Sequence, residues 1–195
     1  IDVTTFEPMV ARPGEPHDTV GVIELPVTRI DSAFIGSCTN GRLEDLRAAA
    51  AVLRGRKVAP GVVLKIVPAT DIIWTGAMEE GLIQIFKEAG AMVSNAGCAG
   101  CAAGQVGQNG PGEVTISTGN RNFEGKQGKG FVYLASPEVV AASAVAGYIT
   151  TPDMIPDQPA LFHATGRTAT APKKERVREE KPAIVEGNVW IVPKD

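Results

Sequence analysis

Several residue types are scarce in this 195-residue chain, and each scarcity excludes a class of site. Only two histidines are present, His17 and His163, and their wide separation rules out an HExxH metal helix. The three cysteines are an odd number, which does not suit a framework of disulfide bonds. Aromatic residues make up only 5% of the chain, which disfavours a surface that stacks nucleic-acid bases. No apolar run approaches the length of about 20 residues that a membrane helix needs, so we expect no membrane segment.

The charges are nearly balanced, with 19 basic and 22 acidic residues and a formal net charge of −3. A strongly basic surface for nucleic acid is therefore disfavoured. Hydrophobic residues make up 44% of the chain, an ordinary value for a globular protein. The length fits one domain that can bury a core, with residues to spare for a tail.

Short apolar segments alternate with helical patterns through the middle of the chain. The predicted strands are 32–35, 62–67, 91–93, 114–117 and 131–134, and the predicted helices are 42–54, 71–89 and 136–147. Residues 71–89 form one helix or two, with Gly76 and Gly81 as weak points. This alternation predicts an α/β fold, a layered α/β/α domain with a mostly parallel sheet. Ligands of such folds bind at the carboxyl ends of the strands.

The composition divides the chain into four parts. Residues 1–30 are broken by prolines, carry a strand candidate at 20–25, and are interpreted as a segment that arrives from a preceding domain. Residues 31–150 carry the alternating pattern and form the predicted main domain. Residues 151–188 are rich in proline and then in charge, which predicts a linker, and residues 189–195 resemble the first strand of a further, truncated domain. Because the first residue is Ile1 and not Met, we expect a piece of a longer chain or a processed one.

The cysteines form the central motif, with Cys38 far upstream of the sequence Cys98-Ala99-Gly100-Cys101. Two residues between Cys98 and Cys101 allow both thiolates to reach one metal centre. A structural zinc site normally has four ligands, and only three thiols are present here. A [4Fe–4S] cluster on three cysteines leaves one iron open, which suits Lewis-acid chemistry. The spacing alone leaves three possibilities open: a cluster, a zinc ion, and redox-active or free thiols.

Three separated motifs then follow one another in order. They are Ile35-Gly36-Ser37-Cys38-Thr39-Asn40, Gly97-Cys98-Ala99-Gly100-Cys101 and Asn120-Arg121-Asn122-Phe123-Glu124-Gly125. Together they resemble the third, cluster-binding domain of the aconitase superfamily, and the resemblance runs from about residue 31 to residue 150. It implies that Cys38, Cys98 and Cys101 ligate a [4Fe–4S] cluster, with one iron that no protein thiolate binds.

The resemblance also implies a substrate-binding set made of Asn120, Arg121 and Lys126. A di- or tricarboxylate needs cationic donors, and an arginine offers a planar fork that fits a carboxylate. Many members of the family carry a second arginine where this chain has Lys126, and a lysine is only a point charge. Considered without the resemblance, residues 119–126 also fit a charged surface loop.

The implied activity is that of a hydro-lyase that dehydrates or isomerises a hydroxy di- or tricarboxylic acid. The chain resembles the 3-isopropylmalate dehydratase and homoaconitase type of amino-acid biosynthesis more than aconitase proper. Aconitase proper and a cluster-free RNA-binding iron sensor are the alternatives. The catalytic base is expected outside this chain, so we expect the chain to be inactive alone. The expected partners are a small carboxylic acid and the remaining domains, including a swivel domain that would begin at residues 189–195, or a small subunit. The expected location is the cytoplasm, with an organellar matrix as the alternative.

Overall fold

A computed structural model describes residues 6–162 of the chain. Its strands are β1 (Met9–Ala11), β2 (Thr19–Gly21), β3 (Ser32–Gly36), β4 (Val63–Val67), β5 (Met92–Val93), β6 (Val114–Ser117) and β7 (Phe131–Leu134). They form one seven-stranded sheet in the order β2-β1-β7-β6-β3-β4-β5. Strands β3 to β7 pair in parallel, and β1 pairs antiparallel with both β2 and β7. The prediction of an α/β fold with a mostly parallel sheet is confirmed.

The α-helices are α1 (Ser37–Asn40), α2 (Leu43–Leu53), α3 (Asp71–Glu79), α4 (Leu82–Ala89) and α5 (Pro137–Ala146). Helix α5 begins as its sequence predicts, because the Ser136 hydroxyl accepts a hydrogen bond from the Val139 amide at 3.4 Å. Of the two predicted weak points in 71–89, Gly81 separates α3 from α4 with a φ of +72°, whereas Gly76 lies within α3. The sequence of residues 36–41 predicts a turn after β3, and this segment instead contains the short helix α1.

One face of the sheet is covered by helices and is almost entirely apolar. Ile35, Leu64, Ile66 and Ile116 point from the central strands into this layer and are at most 1% exposed. They join the buried faces of α2, α4 and α5 in a single apolar cluster. Burial of this size is the main source of stability for a domain of this length.

The opposite face is covered by two loops, residues 94–112 and 118–130, with a 3-10 helix at Ala99–Cys101. The strand order explains this placement. From β3 the chain moves outward to β4 and β5 through helices, then returns to β6 and β7, so right-handed crossovers place these later connections on the other face. A small apolar cluster of Phe34, Val67 and Ala99 lies beneath the first loop.

Residues 9–11 and 19–21 contribute two strands to this same sheet. A strand candidate at 20–25 is wrong beyond Gly21, because a 3-10 helix occupies Val22–Glu24. The division into an arriving segment, a main domain and a linker stays a prediction. The predicted strand at 189–195, most of the linker and His163 lie outside the described residues. Within residues 6–162, no helix is both long and apolar enough to cross a membrane.

Candidate functional site

The carboxyl ends of three neighbouring strands bring the predicted motifs to one edge of the sheet. Gly36 at the end of β3 pairs with Val67 of β4, and β6 runs alongside in parallel. Cys38 therefore follows β3 and Asn120 follows β6 at the same edge. The loop that carries Cys98 joins them, because the Gly97 amide donates to the Pro68 carbonyl at 3.1 Å, just beyond β4. This is the location at which α/β sheets bind ligands.

The backbone around Cys38 is fixed by close contacts with the neighbouring strands. A side chain at Gly36 would overlap the carbonyl oxygen of Val67, and the φ of Gly36 is +149°. Buried Thr118 adds two hydrogen bonds to Gly36: its hydroxyl accepts from the amide at 2.9 Å and donates toward the carbonyl at 3.2 Å. Only a glycine permits this approach. The turn consequently presents the Cys38 thiol to solvent.

The second cysteine segment is held by side chains from its own loop. The Ala99 amide donates to Gln105 Oε1 at 3.1 Å, and Gln108 Nε2 donates to the Gly100 carbonyl at 2.7 Å. These bonds satisfy backbone groups that a 3-10 turn leaves unpaired. Cys98 is exposed and Cys101 is partly buried.

Backbone strain coincides with the cysteines. Among residues 6–162, Ser37 and Ala99 are the only non-glycine residues with a positive φ, at +78° and +49°. Ser37 directly precedes Cys38, and Ala99 directly follows Cys98. Such conformations cost on the order of 1–3 kcal/mol each and concentrate at functional sites. The strained backbone at Ser37 and Ala99 therefore indicates that the local conformation serves to place the Cys38 and Cys98 thiols.

The three thiols lie within electrostatic reach of one another. Burial raises the pKa of the Cys101 thiol, and the neighbouring Cys98 and Cys38 thiols raise it further. The Lys126 ammonium acts in the opposite direction on the same pKa. Its Nζ donates to the Cys101 carbonyl at 3.1 Å, so a residue predicted to bind substrate contacts the cysteine loop.

The other two predicted substrate-binding residues, Asn120 and Arg121, follow β6 at the same edge. The Thr39 hydroxyl donates to Asn120 Oδ1 at 3.3 Å, which ties the turn of Cys38 to the loop after β6. Arg121 is exposed. Its guanidinium has no hydrogen bond or ion pair within residues 6–162, and its donors are therefore available on this surface.

The chemistry of the donor set can be compared with that of an iron–sulfur cluster. Within the described part of the chain, no three His, Cys, Asp or Glu side chains are placed to hold a metal ion by themselves. The three cysteines are near enough for the Cys98 and Cys38 thiols to raise the pKa of Cys101. Thiolates are the soft ligands that iron–sulfur clusters take, and three of them would leave one iron of a [4Fe–4S] cluster without a protein ligand. The residues present therefore fit an iron–sulfur cluster.

Two residues of this site were not predicted from the sequence. Thr118 bonds to Gly36 as described above, and Gln127 packs beneath Gly100. Both are buried polar residues, with exposed fractions of 0% and 3%. Their contacts join segments that are far apart in the chain, so no local pattern identifies them.

Comparison with known proteins gives a consistent result. The profile of the Aconitase family (aconitate hydratase) matches residues 23–147. A probable 3-isopropylmalate dehydratase large subunit of Methanothermobacter thermautotrophicus is 51% identical over 154 residues, which cover 78% of this chain and 37% of that protein. A homoaconitase large subunit of Thermus thermophilus is 48% identical over 160 residues, covering 81% of this chain and 38% of that protein.

A 3-isopropylmalate dehydratase large subunit of Archaeoglobus fulgidus is 49% identical over 157 residues, covering 80% of this chain and 38% of that protein. The chain thus spans somewhat more than a third of the length of these curated relatives. The family profile covers well over half of the chain, and it includes all three cysteines and the loop after β6. The chain therefore belongs to the aconitase family.

Proposed function

We propose that this chain is the cluster-binding part of a [4Fe–4S] hydro-lyase of the 3-isopropylmalate dehydratase or homoaconitase type. The observation that carries the proposal is that the loops of Cys38, Cys98 and Cys101 meet at the carboxyl edge of the sheet. Two strained residues and the close approach of Gly36 to Val67 support their presentation there. The names of the relatives favour this branch over aconitase proper.

In this proposal Cys38, Cys98 and Cys101 ligate the cluster. The cluster supplies a Lewis-acidic iron that no protein thiolate binds, which suits the removal of a hydroxyl group as water. The protein's own contribution is to hold the thiols in a fixed arrangement. The backbone hydrogen bonds of the Ala99–Cys101 turn and the contacts of Gly36 supply that arrangement.

Arg121 and Lys126 serve the substrate in this proposal, together with Asn120. The free guanidinium of Arg121 can form a bidentate pair with a carboxylate. Lys126 already donates one hydrogen bond to the Cys101 carbonyl, and its ammonium carries two more donors. It can therefore contact the cysteine loop and a carboxylate at the same time. Asn120 orients this loop through its contact with Thr39.

The groups that complete the reaction lie elsewhere in this proposal. Among residues 6–162, no base for removing a proton from carbon is assigned at this edge, and we assign that role to other domains of the enzyme. The relatives are named as large subunits, which favours a small subunit as partner. Free cysteines favour a reducing compartment, the cytoplasm or an organellar matrix.

The direct test is the metal content after anaerobic reconstitution with iron and sulfide, with zinc offered in parallel. We expect about four irons and four sulfides per chain. Replacing any one ligand, as in Cys38→Ser or Cys101→Ser, is expected to remove most of the iron. Ala103→Ser is the matched control, because it adds a hydroxyl at an exposed position of the same loop.

The outcomes separate the alternatives clearly. Stoichiometric zinc, or a folded chain without metal, contradicts the cluster. Iron that survives all three cysteine replacements contradicts the assignment of the ligands. Salt-dependent RNA binding by the cluster-free chain would support the sensor in place of the enzyme.

A further inference from the structure

The side chain of Gln127 lies directly beneath the Cys98–Cys101 turn. A Cβ atom built on Gly100 would lie 2.9–3.0 Å from three atoms of this side chain, Nε2, Cδ and Cγ. Gln127 is only 3% exposed. The side-chain amide of Gln127 therefore packs directly against Gly100, in the middle of the cysteine turn.

Both ends of the Gln127 amide have partners on different segments. Oε1 accepts a hydrogen bond from the Ser117 hydroxyl at 2.9 Å, at the end of β6. Nε2 donates to the Gly107 carbonyl at 2.9 Å, in the loop that follows the cysteines. The Gln127 carbonyl accepts from the Asn109 amide, also at 2.9 Å. One residue thus links a strand end, the cysteine loop and the loop after β6.

The neighbouring residue strengthens this link from outside. Lys126 donates to the Cys101 carbonyl, while Gln127 supports Gly100 from below. Adjacent residues therefore hold adjacent residues of the cysteine turn. A lost contact at either position frees the turn relative to the sheet.

We propose that Gln127 is a positioning residue that fixes the Cys98–Cys101 turn and couples it to the Asn120–Lys126 loop. Its effect on the thiols follows from the contacts alone, and its effect on a cluster rests on the proposed function. An amide is required because the position needs one acceptor for Ser117 and one donor for Gly107. Glutamate keeps the shape and loses the donor.

The test compares Gln127→Ala and Gln127→Glu with the unchanged chain. The first measurement is the rate of iodoacetamide alkylation at each cysteine of the metal-free chain, resolved by mass spectrometry at one fixed pH. We expect the rate at half-buried Cys101 to rise on the order of tenfold in both variants, because buried hydrogen bonds are lost. The rate at exposed Cys38 stays within twofold. The second measurement is iron retained per chain after reconstitution, which we expect to fall in both variants.

Gly100→Ala supplies an independent variant. It pushes a methyl group against Gln127, whereas Gln127→Ala removes the atoms that it would meet. We expect the double variant to retain more iron than Gly100→Ala alone, since the clash is relieved. Ser143→Ala is the stability control, because it deletes a buried hydroxyl of α5 that bonds to the Val139 carbonyl.

The results separate the two proposals. Unchanged alkylation and iron in both Gln127 variants would overturn the positioning role. Equal rises at Cys38 and Cys101, or the same pattern in Ser143→Ala, would also overturn it, because they report general loosening. An unchanged chain that takes up no iron contradicts the proposed function, while the alkylation result still decides the role of Gln127.

Discussion

The two faces of the sheet differ in what holds their covering layer in place. On the helix-covered face, aliphatic side chains of β3, β4 and β6 meet α2, α4 and α5, and the contacts are almost all apolar. On the loop-covered face, the apolar cluster is limited to Phe34, Val67 and Ala99 with Val106 beside them. Polar contacts make up the remainder, as with the half-buried Lys65, which donates to the Gln108 carbonyl at 3.0 Å.

The two faces therefore contribute differently to the protein. The helix-covered face mainly stabilises the fold, and the loop-covered face mainly positions the cysteine loops. Apolar burial is strong and non-directional, so it stabilises the fold without fixing a loop to a fraction of an ångström. Hydrogen bonds are directional, and those beneath the cysteine loops end on defined atoms. Burial lowers the pKa of Lys65, with Glu113 opposing the shift, which shows that even a charged group is drawn into this layer. The contacts on the loop-covered face therefore mainly fix the positions of the loops.

The largest effect is expected from a change on the helix-covered face. Leu46 of α2 is fully buried, and Leu46→Ala should lower the free energy of unfolding by about 2–5 kcal/mol. Urea unfolding followed by circular dichroism measures this loss. The folded variant should still take up iron as the unchanged chain does. Loss of iron in well-folded Leu46→Ala would mean that the two faces are not separate in function.

A smaller effect on stability with a selective effect on the site is expected from Thr118→Val. The change keeps the shape and leaves the buried amide of Gly36 without its acceptor, at a cost of about 1–3 kcal/mol. We also expect faster alkylation of Cys38 and less iron per chain. Thr115→Val is the control, because buried Thr115 lies at the opposite end of β6, where its hydroxyl bonds to Ser32 at 2.7 Å and accepts from Asn109 at 3.3 Å. Equal alkylation rates of Cys38 in Thr118→Val and Thr115→Val would contradict a specific role of Thr118 at the site.

The smallest effect on the chain itself is expected from Arg121→Lys. The exposed guanidinium has no partner within residues 6–162, so stability and iron content should not change. In the enzyme assembled with its other parts, we expect KM for the hydroxy acid to rise on the order of tenfold, because a lysine lacks the bidentate fork. Steady-state kinetics of the assembled enzyme measure this rise. An unchanged KM would remove Arg121 from the substrate site.

Local patterns in the sequence predicted the elements whose cause is local. Helix α2 carries its apolar stripe and its favourable Asp45 carboxylate near the amino end, where it accepts from the Arg42 amide at 3.0 Å. Strand β1 was missed, since three residues among prolines carry no clear strand signal, and the strand forms by pairing with β2 at three positions and with β7 at one. Tertiary pairing overrides local preference at such places.

The candidate site was likewise predictable from the sequence only in part. The spacing of the cysteines and the family motifs predicted the candidate site residues, and the parallel sheet predicted the edge at which ligands bind. The assignment of the ligands and of the substrate-binding residues stays a prediction. The contacts of Lys126 with the Cys101 carbonyl and of Gln127 with Gly107 could not be predicted, because they depend on side-chain packing between distant loops.

In the proposed function, the cysteine loops at the carboxyl edge of the sheet hold an iron–sulfur cluster with one iron open to substrate. Low-temperature EPR of the reconstituted chain during mild oxidation tests this claim most directly. We expect an EPR-silent starting state that converts to a three-iron signal as the open iron leaves, and that regains iron on reduction with ferrous ion. A cluster that resists this conversion, or a chain that gives no iron signal at any stage, would contradict it.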